Sequence, residues 1–270
     1  MASVTVVDSD EVASRPGSVA RLTVRPTLGP QTGFAELEQA VLECAPGRTE
    51  PISVRDAEET LFVLAGRGTI HLGPDAHPLE PEVGVYLPPG AQFALENPGP
   101  DPLRVIAVRI PQPESQSEPE PQREPASAEP PGRPVVRRLA DQELEAATTQ
   151  RQFRIVADPD CGLRSATHFV GYIPTARAPD HFHTYDEVIY VLEGEGVMRA
   201  GEFEQRLAPG SCIQLPARTV HCLENTGREP MRVVAVFRPA GSPAAAFYPD
   251  GTPVSRPTRP ASEPATPEEE

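Results

Sequence analysis

The sequence contains no lysine. All 24 of its basic residues are arginine, so Schiff-base catalysis and a P-loop built on lysine are both excluded. Positive charge is scarce overall. Against 39 acidic residues it leaves a formal net charge of -15, which disfavours a nucleic-acid or anionic-membrane partner on electrostatic grounds. Cysteine is also sparse: Cys44, Cys161, Cys212 and Cys222 lie far apart, without the spacing of a redox motif or a secretory disulfide framework, and reduced thiols are expected. Met1 to Ala20 has acids where a signal peptide needs a basic start and an apolar run, and nothing later is apolar for long enough to span a membrane. The expectation is a cytoplasmic protein with no membrane partner. No helix-turn-helix pattern is present.

What the chain does have is short apolar runs broken by glycine and proline. In 270 residues there are 35 prolines and 20 glycines, unevenly placed. Runs such as Thr60 to Leu64, Thr69 to Leu72, Val83 to Leu87 and Arg104 to Val108 recur between turn residues, and the same texture returns from Phe153 to Phe237. Many short strands with turns between them predict an all-β sandwich or barrel. Residues 1–20 show no sustained period and read as an irregular N-terminus. Residues 111–133 are Pro, Glu, Gln and Ser without a large apolar side chain, and read as a disordered linker. Two globular segments, 21–110 and 134–240, remain, followed by a Pro-, Ala- and Glu-rich disordered tail, 241–270, whose start Phe247 and Tyr248 could anchor. Asp141 to Gln150 reads as a short helix with Asp141 as N-cap.

The two segments are a repeat. A shift of 128 positions lays Glu59 to Gly68 on Glu187 to Gly196, Leu87-Pro88 on Leu215-Pro216, and Leu95-Glu96-Asn97 on Leu223-Glu224-Asn225. A constant, gapless offset of this length implies one small β fold made twice. The copies differ where chemistry would sit: Ser53 stands for His181, Arg55 for His183 and Phe93 for His221, and only Glu59 matches Glu187. The first copy is therefore expected to hold no metal.

In the second copy, His181 and His183 are two residues apart, so on a strand they share a face. Glu187 has the same parity, but a turn at Thr184 to Asp186 leaves its direction open, and His221 arrives from a separate strand. Three imidazoles and a carboxylate are a ligand set for a divalent transition metal. The pattern His181-x-His183-x3-Glu187-x6-Gly194, then Gly210-x5-Pro216-x-Arg218-x2-His221-x3-Asn225, resembles the two motifs of the cupin superfamily. It departs from them at Arg218, where glycine is usual. The resemblance implies two tandem double-stranded β-barrels of jelly-roll type, a degenerate cupin barrel at 21–110 and a metal-binding one at 134–240, with His181, His183, Glu187 and His221 on one ion. This layout is similar to that of ureidoglycine aminohydrolases, which carry a different ligand set.

His71, His77 and His168 read as hydrogen-bonded core or surface residues, Cys212 and Cys222 as buried thiols rather than ligands, and Tyr190 as barrel exterior or interface. Arg154, Tyr172, Tyr185, Arg199 and Gln214 are candidates for a polar pocket rim. Mn, Fe, Ni, Co and Zn all suit the ligand set, and no organic cofactor is implied. The functional expectation is a metal-dependent enzyme acting on a small oxygen-rich metabolite as dioxygenase, isomerase or hydrolase, with its catalytic groups unassigned. The alternative is a non-catalytic small-ligand binding or sensory module. A homodimer through exposed barrel strands fits either.

Overall fold

A computed structural model describes residues 3–112 and 133–254, and the fold is nearly all β. Each half carries one seven-stranded antiparallel sheet closed against a smaller one. The large sheet of the first barrel runs Arg15–Pro16, Leu22–Leu28, Glu38–Cys44, Leu103–Ile110, Glu58–Ala65, Val83–Leu87. Its counterpart runs Glu145–Ala146, Gln152–Ala157, Thr167–Ile173, Met231–Arg238, Asp186–Glu193, Ser211–Leu215. The smaller sheets are built on Gly68–Leu72 and Gln92–Asn97 in one barrel, and Gly196–Ala200 and Cys222–Asn225 in the other.

The seventh strand of each large sheet comes from the other half of the chain. Thr5–Asp8 pairs with Ser211–Leu215 of the second barrel, and Val135–Arg138 pairs with Val83–Leu87 of the first. Residues 1–20, expected to be irregular, therefore contain a strand, and the segment after the linker first serves the preceding barrel. Side-chain alternation explains the fit. Val6 packs into the second barrel and Val136 into the first, while Val7 and Val135 both turn to the apolar layer between them. That layer joins Phe62, Tyr86, Ile106 and Val108 to Val188, Tyr190, Cys212, Val234 and Val236. It accounts for Tyr190 on a barrel exterior.

The helix expected over Asp141 to Gln150 is absent. Leu139–Asp141 is a single 3-10 turn, and Glu145–Ala146 pairs with the strand beginning at Gln152. Good helix formers lose here because Leu139 is buried and the short strand completes a sheet edge, a tertiary gain that outweighs propensity. The linker expected at 111–133 lies, apart from Pro111, Gln112 and Arg133, outside the described residues, and so does the tail beyond Val254. Residues 241–254, expected to be part of a disordered tail, are placed: Phe247 pairs with Phe182 and stacks on its ring at 5.5 Å. No helix among the described residues is long and apolar enough to cross a membrane.

Candidate metal centre

The site is assembled from two chain segments joined by a pair of main-chain bonds. His181 and His221 donate to each other's carbonyls at 3.0 and 2.8 Å. Alternation then separates the neighbours: Phe182 turns out to meet Phe247, while His181 and His183 lie on one side with ring centroids 5.0 Å apart. His221 completes the group, its ring 4.5 Å from His181 and 5.2 Å from His183. One ligand nitrogen from each lies within 4.8 Å of the others.

Hydrogen bonding on the far side of each ring decides which nitrogen is free. Nδ1 of His181 donates to the Pro179 carbonyl (2.9 Å), that of His183 to Ala245 (2.7 Å) and that of His221 to Thr219 (2.9 Å). A carbonyl can only accept, so each Nδ1 carries the proton and each Nε2 keeps its lone pair. Burial holds all three neutral: it pushes His183 down to about 3, with His181 adding to the effect, and drives His221 well below its ordinary value and His181 down as well. Tyr185 is stacked between His183 (4.7 Å) and Phe237 (3.9 Å), which fixes the ring plane.

Three lone pairs without protons are what a metal needs; three nitrogens at ~2.1 Å from one ion lie within ~4 Å of each other, so an ion would draw this group, spread over up to 4.8 Å, slightly together. The donor set therefore fits a divalent ion. Glu187 is buried in the same cavity but is not part of the three-histidine group. Burial raises its carboxyl to about 8, and Arg151 pulls it back.

The cavity measures ≈ 660 Å³ including its open mouth. Tyr172 and Tyr185 line it, as do several residues not singled out from the sequence: Arg151, Phe153, Phe169, Gly171, Met198 and Pro243. The other rim candidates lie elsewhere. Arg154 donates to the Gln142 carbonyl, Arg199 pairs with Glu204 and Glu224, and Gln214 is buried at the seam between the barrels against Thr32 and the Ser3 carbonyl. Cys222 is buried and donates to the Ala178 carbonyl at 3.1 Å. His71 pairs with Glu96 at 2.7 Å, His77 is half-buried, and His168 is buried between the barrels, edge-on to Phe62.

The first barrel shows what the second would be without this site. Phe93 is buried where His221 stands, and Ser53 and Arg55 are exposed. The register carries the comparison further. Gly171 pairs with Val233 and Leu42 with Val105, so Leu42 fills the volume that Gly171 leaves open. Leu22 pairs with Cys44, the counterpart of Ile173, and the residues before Leu22 and Arg151, namely Arg21 and Gln150, share the left-handed conformation at φ 69 and 60°. Arg151 therefore occupies the place of a buried core leucine. Arg218 keeps the turn that its counterpart Gly90 makes, at φ 63 against 79°, and both donate to the carbonyl of the matching residue, His183 or Arg55.

A family model described as a cupin domain matches this chain twice, at residues 40–109 and 168–237. The chain is a bicupin of the cupin family. Among solved structures, this bicupin is similar to a Pseudomonas aeruginosa protein named for induction by glyoxylate, with TM-score 0.70 and 18% identity over 86% of this chain and 88% of the other. It is similar to the Ylba protein of E. coli with TM-score 0.70 and 12% identity, covering 88% and 91%. A mutant of oxalate decarboxylase OxdC from Bacillus subtilis matches with TM-score 0.67 and 14% identity, covering 90% and 78%. At these identities the likeness is one of fold. In sequence, 57 residues are 32% identical to an uncharacterized protein of Methanocaldococcus jannaschii, a match spanning 21% of this chain and about half (46%) of that protein.

Proposed function

We propose that this bicupin is a metal-dependent enzyme that binds one divalent transition ion through His181, His183, His221 and Glu187 and acts on a small oxygen-rich metabolite as a dioxygenase, isomerase or hydrolase. The observation that carries the reading is the shared tautomer: three separate carbonyls hold three Nδ1 protons, so three Nε2 lone pairs face one point. A binding pocket without a metal would have no use for three such anchors. Mn, Fe, Ni, Co and Zn are the candidate ions. When bound, such an ion supplies Lewis acidity and, for iron or manganese, one-electron redox chemistry.

The chain's own residues do the rest. The carbonyls of Pro179, Ala245 and Thr219 orient the rings in the manner of outer-shell partners, Tyr185 limits rotation of the His183 ring, and the apolar wall of Phe153, Phe169 and Val233 excludes water. The alternative, a sensory module whose barrels reorient on binding, draws no support from the exchanged strands, which tie the barrels together. Elemental analysis of protein purified without a chelating column tests the proposal. About one transition ion per chain is expected in the wild type, and none in His221→Ala. A metal-free wild type that refuses reconstitution would overturn it.

A further inference from the structure

Arg151 is the sole arginine among the residues lining the cavity. Its guanidinium makes one side-chain hydrogen bond, from one terminal nitrogen to the Leu223 carbonyl at 2.6 Å, and no carboxylate of the described residues lies within ion-pair distance of it. A partly buried cation with one hydrogen-bond partner, and with the Glu187 carboxylate close enough to interact but not to form an ion pair, is costly to keep, because its lost hydration is returned only in part. The same place in the first barrel is taken by Leu22, buried in a closed core, so the fold does not require an arginine here. The hairpin turn leading into it holds Thr149 and Gln150 at φ 55 and 60°, a strained conformation for residues other than glycine. The first barrel makes the same left-handed turn before Leu22, so what sets the second apart is the guanidinium itself, placed on the cavity with a single hydrogen bond.

We propose that Arg151 anchors the carboxylate of the substrate, so that the cavity takes a small organic acid. The inference rests on the function proposed above for its placement beside the histidines. One edge of the planar guanidinium is committed to Leu223, and the remaining N–H groups offer a carboxylate charge-assisted bonds. A single arginine balances a monoanion. In metal-stripped protein a phosphate dianion would need a second cation or a cluster of main-chain N–H groups, and beside Arg151 the walls are largely apolar, with Phe153, Phe169, Ile173, Met198 and Val233. Carboxylate at Arg151 leaves the rest of the acid against these apolar side chains.

The test compares isobutyrate with isobutyramide, which share shape and differ in charge, by calorimetric titration of the full chain at pH 7, both metal-stripped and metal-loaded. Metal-stripped wild type is expected to prefer the acid by at least ~10-fold, in line with one charge-assisted hydrogen bond, and Arg151→Leu to lose that preference. Arg151→Gln, which retains a donor for the Leu223 carbonyl, carries the same expectation if the leucine variant folds poorly. Metal content is measured in parallel, so failure of the wild type to take up metal would count against the metal reading, while the acid preference of stripped protein is judged separately. Equal affinity for acid and amide, preference surviving in both variants, binding of neither probe, or equal competition by inorganic phosphate would overturn the proposal.

Discussion

Glu58 is the residue on which the union of the two barrels is most exposed to a single change. Its carboxylate, 4% accessible, sits on a strand of the first barrel and accepts from main-chain N–H groups of the second: Arg164 at 2.9 Å and Ser165 at 3.1 Å. It also accepts from the Ser165 hydroxyl and, within its own barrel, from Tyr86 at 3.0 Å. With the Gln112 side-chain amide, which also donates to it at 3.4 Å, Glu58→Ala removes the acceptor for five donors at the seam between the barrels. Hydrogen bonds to a charged group are each worth ~1.5–3 kcal/mol and each stranded donor costs ~1–3 kcal/mol, but the two overlap and water partly refills the gap. A net loss of about 3–5 kcal/mol, the size seen on breaking one side of a buried charged contact, is the expectation. Glu58→Gln, which keeps one acceptor oxygen, should lose roughly half as much. Urea unfolding followed by far-ultraviolet circular dichroism and scanning calorimetry measures both the loss and its location. In the alanine variant, one cooperative transition is expected to split, since what fails is the contact between barrels. A loss below about 1 kcal/mol, or a destabilised but still single transition, would refute the assignment of Glu58 as the clasp.

Three further outcomes follow from other groups. Arg218→Gly relieves a left-handed residue that is exposed, and should raise stability by about 0.5–1 kcal/mol without changing metal content, as chemical denaturation would show. His168 is buried, its Nδ1 has no partner, and burial lowers its value from 6.5 to about 3. The folded state therefore binds its proton less readily than the unfolded chain does, so its contribution is intact above pH 6.5 and is lost as pH falls from there toward 3. Stability measured at pH 6 and pH 4 should show a slope in the wild type that is shallower in His168→Leu by about 1.4 kcal/mol per unit; parallel slopes would rule this out. Gly171→Leu introduces the side chain of the first barrel into the second, where even a Cβ would lie 3.2 Å from Val233. Isobutyrate binding should fall below detection with the three histidines still able to take up metal, which titration and elemental analysis would separate.

The repeat and the histidine pattern were legible because both are local: a gapless block conserves its own glycines, and residues two apart on a strand share a face. Arg151 escaped because the matching register changes by one residue outside that block, so Leu22 and Arg151 do not line up at the same offset. The exchanged strands escaped for a different reason. Val4 to Val7 and Val135-Val136 have the alternation of a strand, but alternation does not specify which sheet accepts it, and the partners lie far away in sequence. Glu59, the carboxylate shared by both copies, illustrates the converse. Burial raises it to about 7, with Arg109 opposing, in a barrel that has no imidazole at the matching positions, so a motif residue outlives the set it belongs to.

The reciprocal exchange of Thr5–Asp8 and Val135–Arg138 means that the unit duplicated in the sequence is not the unit that closes in space. A cut anywhere in the linker would yield two fragments, each carrying the other's last strand. Alone, each would expose an unpaired edge, Val83–Leu87 in one and Ser211–Leu215 in the other, both fully buried in the intact chain, and such edges pair with whatever strand they meet. The first barrel thus has a task that needs no metal: it lends a strand to the barrel that holds the histidines and borrows one in return, so neither can be lost without opening the other.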